Sequence, residues 1–141
     1  MRLKQNKSGF TLLEIIIVII IVGVLASLAL PRFFSTVEFS KSTEGLMSLS
    51  ALRDSMERCY LGSAGTYVGC TMAPYVLDIT DPSASPGARF AYSNGSQSAT
   101  GYTVRATRNT VDGGTAGGTI TLTQSATGVT RVGTGAFIGI K

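Results

Sequence analysis

An apolar run of 21 residues, Phe10 to Leu30, carries a single charge, Glu14. As an α-helix rising about 1.5 Å per residue, it would be about 31 Å long, enough to cross a hydrocarbon core. Such a helix has to be embedded, in a membrane or among other helices. An acid inside it costs about 3 kcal/mol at a bilayer centre and less near the edge. Glu14 sits near the start of the run, so it is expected to have a partner or a task.

Residues 1–9 precede the run as a basic leader with Arg2, Lys4 and Lys7, ending at Gly9. These charges fit a segment held on the cytoplasmic side of a membrane. They also carry most of the formal net charge of +4, because the rest of the chain has 9 basic and 8 acidic residues. The charge therefore gives no sign of nucleic-acid binding. Two plainer readings compete. A secretory signal peptide would end at a small-residue site such as Ser27-Leu28-Ala29, but the run exceeds the usual apolar core of about 7–15 residues and contains an acid. A plain membrane anchor explains the length and leaves Glu14 without a role.

With 141 residues, one domain is expected. Pro31 is expected to kink or interrupt the helix. The helical pattern then resumes. Leu49, Leu52, Met56, Cys59 and Tyr60 form one apolar stripe at three- and four-residue steps, with Gly45 as a weak or closely packed point. Charged residues fill the other faces, so 31–61 reads as an amphipathic helix continuing the apolar one. Gly62 to Gly65 end it through glycine chemistry. A loop rich in Gly, Pro and Ser follows over 62–87. Residues 89–93, 102–108, 119–123 and 129–132 read as short strands, with Asn94-Gly95 and Asp112-Gly113-Gly114 as turns. Ala136 to Ile140 tucks into the core or adds a short strand. The expected fold class is α+β, a long helix whose distal half packs on a small antiparallel sheet. Its segments are 1–9 leader, 10–30 membrane or core helix, 31–61 amphipathic helix, and 62–141 loop and sheet.

Enzymatic signals are missing. The chain has no histidine, so no Ser-His or Cys-His pair exists, and it is not expected to be an enzyme. The cluster Gly113 to Gly118 lacks the Lys-Ser/Thr of a phosphate loop and precedes a strand, so it reads as a flexible hairpin loop. Two cysteines, Cys59 and Cys70, lack the number for a zinc site. Beyond a membrane-crossing segment, in an oxidising space, they are expected to form a disulfide; an unbridged structural pair is the alternative. Asp78 and Asp81 could contribute to a calcium site, but no full ligand set accompanies them, and solvated turn residues are the preferred reading. No cofactor is expected. Asn94-Gly95-Ser96 fits a glycosylation sequon, and equally an Asn-Gly turn. Phe10, Phe33, Phe34, Phe39 and Tyr60 read as packing residues between helices rather than as an electron path.

Lys7-Ser8-Gly9, then Phe10-Thr11-Leu12-Leu13-Glu14, then the apolar run to Leu30-Pro31 resemble the prepilin class of the type IV pilin superfamily, which includes the type II secretion pseudopilins. The resemblance is specific over about residues 7–60. It implies cleavage between Gly9 and Phe10 by a prepilin peptidase and N-methylation of Phe10. It also implies a homopolymer built through the N-terminal helices by a pilus or secretion assembly machinery. The pilin fold it implies matches the α+β reading above. The chain would span the inner membrane once before assembly and then enter a periplasmic or extracellular filament. In that family the acid of one subunit meets the terminal amine of its neighbour, a role that falls here to Glu14, with Thr11 able to add a hydrogen bond. The first alternative is a pseudopilin or minor pilin. The second is a membrane-anchored binding domain that never polymerises.

Overall fold

A computed structural model describes residues 9–72 and 76–141; all of the leader except Gly9, and residues 73–75 of the expected loop, lie outside the described residues. The chain divides into two units, one ending at Thr36 and one covering Val37–Lys141.

Helix α1 runs Leu12–Ser40, and none of its residues is buried within the chain. Its hydroxyls do not burden the apolar surface. Ser27 Oγ donates to the Val24 carbonyl at 2.7 Å, and Thr36 Oγ1 donates to the Arg32 carbonyl at 3.0 Å. Each is satisfied inside the helix, as a lipid-facing or helix-packed segment requires. Pro31 lies inside α1, so the helix is not interrupted there. One proline removes a single N–H, and the flanking bonds carry the helix through. The break falls at Lys41. There the bonds tighten to three-residue steps, Lys41 N to Glu38 O and Glu44 N to Lys41 O, each 3.1 Å.

Helix α2, Ser42–Gly62, belongs wholly to the second unit. It buries Gly45, Leu49, Leu52 and Met56 of the expected stripe, with Cys59 and Tyr60 half-buried against the same core, together with Ser42 and Ser55. A methyl group at Gly45 would stand 3.0 Å from Ile120 Cδ1 and 3.4 Å from the Phe90 ring, so glycine there lets the helix approach the sheet. The sheet is an antiparallel meander in the order β1 (Phe90–Gln97), β2 (Tyr102–Arg108), β3 (Thr119–Ser125), β4 (Gly128–Gly133). Alternation decides its faces. Tyr102, Val104 and Ala106 are buried with Ile120 and Leu122, whereas Arg105 and Val132 point away from the core. The C-terminal segment tucks in rather than adding a strand: a short 3₁₀ turn, Gly135–Phe137, brings Phe137 into the core with its ring 5.5 Å from that of Phe90.

One expected turn is absent. Asn94 and Gly95 lie inside β1, where the register with β2 shifts between Asn94 and Gln97. The chain reverses later, where Ser98 N donates to the Gly101 carbonyl at 2.8 Å. The reason is a non-local use of Asn94. Its Nδ2 donates to the Cys70 carbonyl at 3.1 Å and its Oδ1 accepts from Met72 N at 3.2 Å. An amide holding a loop in this way is a poor glycan acceptor.

Cys59 and Cys70 are bonded, with Cα atoms 6.0 Å apart. Cys59 ends the stripe of α2, and the Cys70 carbonyl also receives Gln97 Nε2, so the loop is pinned to helix and sheet together. Tyr67 from the same loop stacks between Tyr60 and Tyr102, ring centroids 4.5 and 4.8 Å away. Burial, and then the Glu57 carboxylate that accepts its proton at 2.8 Å, push the Tyr67 phenol up to about 12. Closing a loop of this sequence separation, 11, contributes about 3 kcal/mol in the chain-entropy account. Cys59→Ser is therefore expected to lower stability by about that amount. Denaturant titration of the purified chain, with and without reductant, checks this; reduction should shift the unaltered chain and leave the variant unmoved.

Candidate functional site

The junction at the start of α1 is built by four residues. Gly9 is exposed, and among the described residues a methyl group on it would meet no atom within 4 Å. Phe10 is 83% exposed, so the described residues offer its ring little packing. Thr11 precedes the first helical residue and Glu14 lies three further on. The Thr11 N–H donates to Glu14 Oε2 at 2.7 Å, and Thr11 Oγ1 donates to the same oxygen at 2.8 Å. In return Glu14 N donates to Thr11 Oγ1 at 3.3 Å. This is a reciprocal capping box, in which two orphan N–H groups of the first turn are satisfied by each other's side chains. Its signature, Thr-x-x-Glu before an apolar run, is legible in the sequence. The geometry therefore gives Glu14 a local task beside any task toward another molecule. It also aims the carboxylate back at the N-terminal end of the helix, where the macrodipole favours negative charge. Among the described residues no basic side chain reaches Glu14.

The second unit holds a separate charge cluster that sequence reasoning missed. Arg108, the last residue of β2, has a fully buried side chain. Its Nε and Nη2 donate to the two Glu38 carboxylate oxygens, both at 3.1 Å, and Nη2 donates to Asp112 Oδ1 at 2.7 Å. Its Nη1 donates to the carbonyls of Arg89 and Asn109, and both Nη atoms reach the Val111 carbonyl at 3.3 Å. The guanidinium lies 5.8 Å from the Phe90 ring centre. Lys41 pairs with Glu38 and Asp112, and Arg89 pairs with Glu44 and Asp112. Thus the β2–β3 loop, expected as a free glycine hairpin, is wound around one cation. Asp112 takes φ 57° and Gly113 φ 73° to make the bend, and a methyl group on Gly114 would fall 2.0 Å from Arg108 Nη2. Hydrogen bonds from Arg108, then Lys41, hold the Glu38 carboxyl below its ordinary value. Those from Arg89, then Arg108, hold Asp112 well below the carboxylate range.

The two aspartates considered for calcium are used separately. Asp78 accepts from Arg58 Nε at 2.5 Å, Arg58 Nη2 at 2.9 Å and Ser55 Oγ at 2.5 Å, and these bonds, Arg58 first, lower it to about 2. Asp81 caps a short 3₁₀ turn, Pro82–Ala84, through Ser83 N at 2.8 Å. Among the described residues no group of three or more potential ligands of His, Cys, Asp or Glu type gathers.

Comparison with known proteins places the junction in a family context. Residues 4–30 match the model for the prokaryotic N-terminal methylation motif. The chain is 46% identical over 65 residues to a probable minor fimbrial protein of Dichelobacter nodosus, covering 46% of this chain and 40% of that protein. It is 32% identical over 59 residues to the type IV major fimbrial protein FimA of the same organism, covering 42% and 38%. It is 33% identical over 87 residues to the type II secretion system core protein G of Klebsiella michiganensis, covering 62% and 60%. The chain thus spans less than two thirds of the length of each of these relatives. It carries the prokaryotic N-terminal methylation motif on a pilin-like α+β architecture, and is similar both to type IV fimbrial proteins and to type II secretion core proteins G.

Proposed function

We propose that this chain is a structural subunit, without catalysis of its own, that polymerises into a type IV pilus after processing. The observation that carries the reading is the junction: a Gly9-Phe10 exposed among the described residues, a capped acid, and an apolar run along α1 with no buried residue. The helix is long and apolar enough to cross a membrane. Before assembly it spans the inner membrane, with the second unit outside the cytoplasm. In the filament the same apolar surface packs on α1 of neighbouring copies.

Among the described residues nothing near Gly9 demands a glycine; in this reading the demand comes from a prepilin peptidase acting at the leader boundary. The new terminus, Phe10, is then methylated and carries a secondary ammonium. Two charges that are each costly in an apolar interior become one pair when the ammonium of one subunit meets Glu14 of the next. Thr11 holds that carboxylate in place. The partners are other copies of the chain, the processing enzyme and an assembly machinery.

The pseudopilin reading also has a specific observation in its favour. The match to the Klebsiella core protein G covers more of this chain than the two fimbrial matches do. Long surface fibres favour the pilus, and filaments confined to the periplasm favour the pseudopilus. Processing is tested on the chain recovered from the membrane fraction. Terminal mass spectrometry is expected to find a methylated Phe10 as the first residue. A chain beginning at Leu30 would instead mark a secretory signal peptide and overturn the proposal.

A further inference from the structure

We propose that Glu38 is a latch: closed on Arg108 it fixes the last turn of α1 to the sheet, and released it lets residues 37–41 unwind into a tether ahead of α2.

The helix is weakest where α1 gives way to α2. Between residues 33 and 43 only Glu38 and Lys41 come from the stronger half of the helix-propensity ranking; the rest are Phe, Ser, Thr and Val. At Lys41 the bonds tighten to three-residue steps, and Lys41 caps α2 without a side-chain hydrogen bond. No residue of α1 is buried. A helical segment of this composition, without support from packing, is marginal in water.

Its support is ionic. Among the described residues Glu38 is the one α1 side chain that forms hydrogen bonds or ion pairs with the sheet and its loops. Arg108 of β2 faces it on one side, and Lys41 at the break faces it on the other. Behind these two stand Asp112 of the β2–β3 loop, Arg89 at the start of β1 and Glu44 of α2. Three acids and three bases balance. Loss of the Glu38 charge therefore leaves Arg108 and Lys41 sharing Asp112, with nothing in α1 drawn to the sheet. The pair is also unequal. Arg108 is fully buried and keeps the carbonyls of Arg89, Asn109 and Val111 whether or not Glu38 is present, whereas Glu38 is partly exposed. Glu38 is thus the member free to leave.

Closed, the latch makes the second unit begin at Val37; open, the fixed body begins at Ser42. The five residues Val37 to Lys41 lengthen on unwinding from about 8 Å as helix to about 17 Å extended. That play would serve a membrane anchor and a filament subunit alike.

The test is native-state trypsin digestion of the full chain as recovered in the membrane fraction, with products identified by terminal mass spectrometry. A product beginning at Ser42 reports the tether, and cuts after Arg105 or Arg131 report unfolding of the sheet. Glu38→Gln is expected to raise the Ser42 product by about tenfold, the effect of losing a charged hydrogen-bonded pair, with the sheet sites still protected. Asp78→Asn, which breaks an ion pair away from the break, should leave it unchanged. Hydrogen exchange on the unaltered chain, corrected for intrinsic rates, gives a second reading. Bonds from Arg108, then Lys41, hold the Glu38 carboxyl below its ordinary value, so its contribution is lost as pH falls through that lowered value. The Lys41 and Glu44 amides should then lose protection below about pH 4, ahead of those in β2 and β3. No rise in the Ser42 product with Glu38→Gln, a rise matched by cuts after Arg105 and Arg131, an equal rise with Asp78→Asn, or amides at Lys41 and Glu44 that open only with the sheet would each overturn the latch.

Discussion

Cells carrying Glu14→Ala or Glu14→Gln are expected to accumulate processed subunit in the membrane and to make few or no filaments. The Gly9-Phe10 junction is intact in both variants, so cleavage should proceed. Insertion should be unharmed, because each substitution removes the charge from the apolar run. What disappears is the anion for a neighbour's terminal ammonium, and one uncompensated buried charge costs about 3–5 kcal/mol at every subunit. The two variants separate the cap that the structure shows at Glu14 from the proposed assembly contact. Alanine also removes the cap on Thr11 N, worth about 1 kcal/mol at a helix terminus. Glutamine keeps a capping acceptor and lacks only the charge. Equal loss of filaments in both isolates the charge as the assembly determinant. The measurement is fractionation, comparing sheared surface material with inner membrane. Normal yield from Glu14→Gln would reduce Glu14 to a helix cap.

The largest stability effect is expected at Arg108. Its side chain is fully buried and has carboxylates from α1 and from the β2–β3 loop on it. Arg108→Met fills comparable space but takes one donor from Glu38, one from Asp112 and one from several carbonyls, leaving Lys41 on both acids and Arg89 on Asp112. Removing one partner of a buried pair costs about 3–5 kcal/mol, and the partial exposure of the two acids places this case near the lower figure. Denaturant titration of the purified chain measures it. Acid supplies a second signature. Glu38, Asp112 and Asp78 are all held below their ordinary values in the folded chain. Stability from such groups is fully present above the unfolded carboxylate range, about pH 4, and is lost as pH falls through the folded values, which for Asp78 reaches about 2. The unaltered chain should therefore weaken below about pH 4. Arg108→Met should weaken less over that interval, because Glu38 loses the first of its two donors and Asp112 one of its three. An unchanged acid profile would show that Arg108 is not what depresses them.

Local patterns were read well where the physics is local. Period-two alternation locates β2 and β3 because a half-buried strand repeats every second residue. Three- and four-residue steps locate the buried face of α2, and Gly45 marks its close approach to Ile120. The errors share one cause. Asn94-Gly95 has the composition of a turn, but Asn94 serves a loop 24 residues away in the chain. The β2–β3 loop has the composition of a flexible linker, but Glu38, 70 residues from Arg108, organises one side of its cation. No local pattern encodes such partners. A signal for Arg108 nevertheless existed: it continues the parity of Tyr102, Val104 and Ala106, the face that points into the core. A charged residue in that series is either a strand end or a buried ion with partners. The capping box at Thr11 and Glu14 was equally present as a spacing, hidden behind the more conspicuous fact of an acid in an apolar run.

The proposed filament is built by copies of this chain through α1. Electron microscopy of sheared material from cells expressing the chain, with mass spectrometry of the same fraction, tests it most directly. Fibres are expected in which this chain is the main component, beginning at methylated Phe10 and lost on Glu14→Gln. Processed chain found only as monomer in the inner membrane, with no fibres in either the surface or the periplasmic fraction, would contradict it and leave a membrane-anchored binding domain in its place.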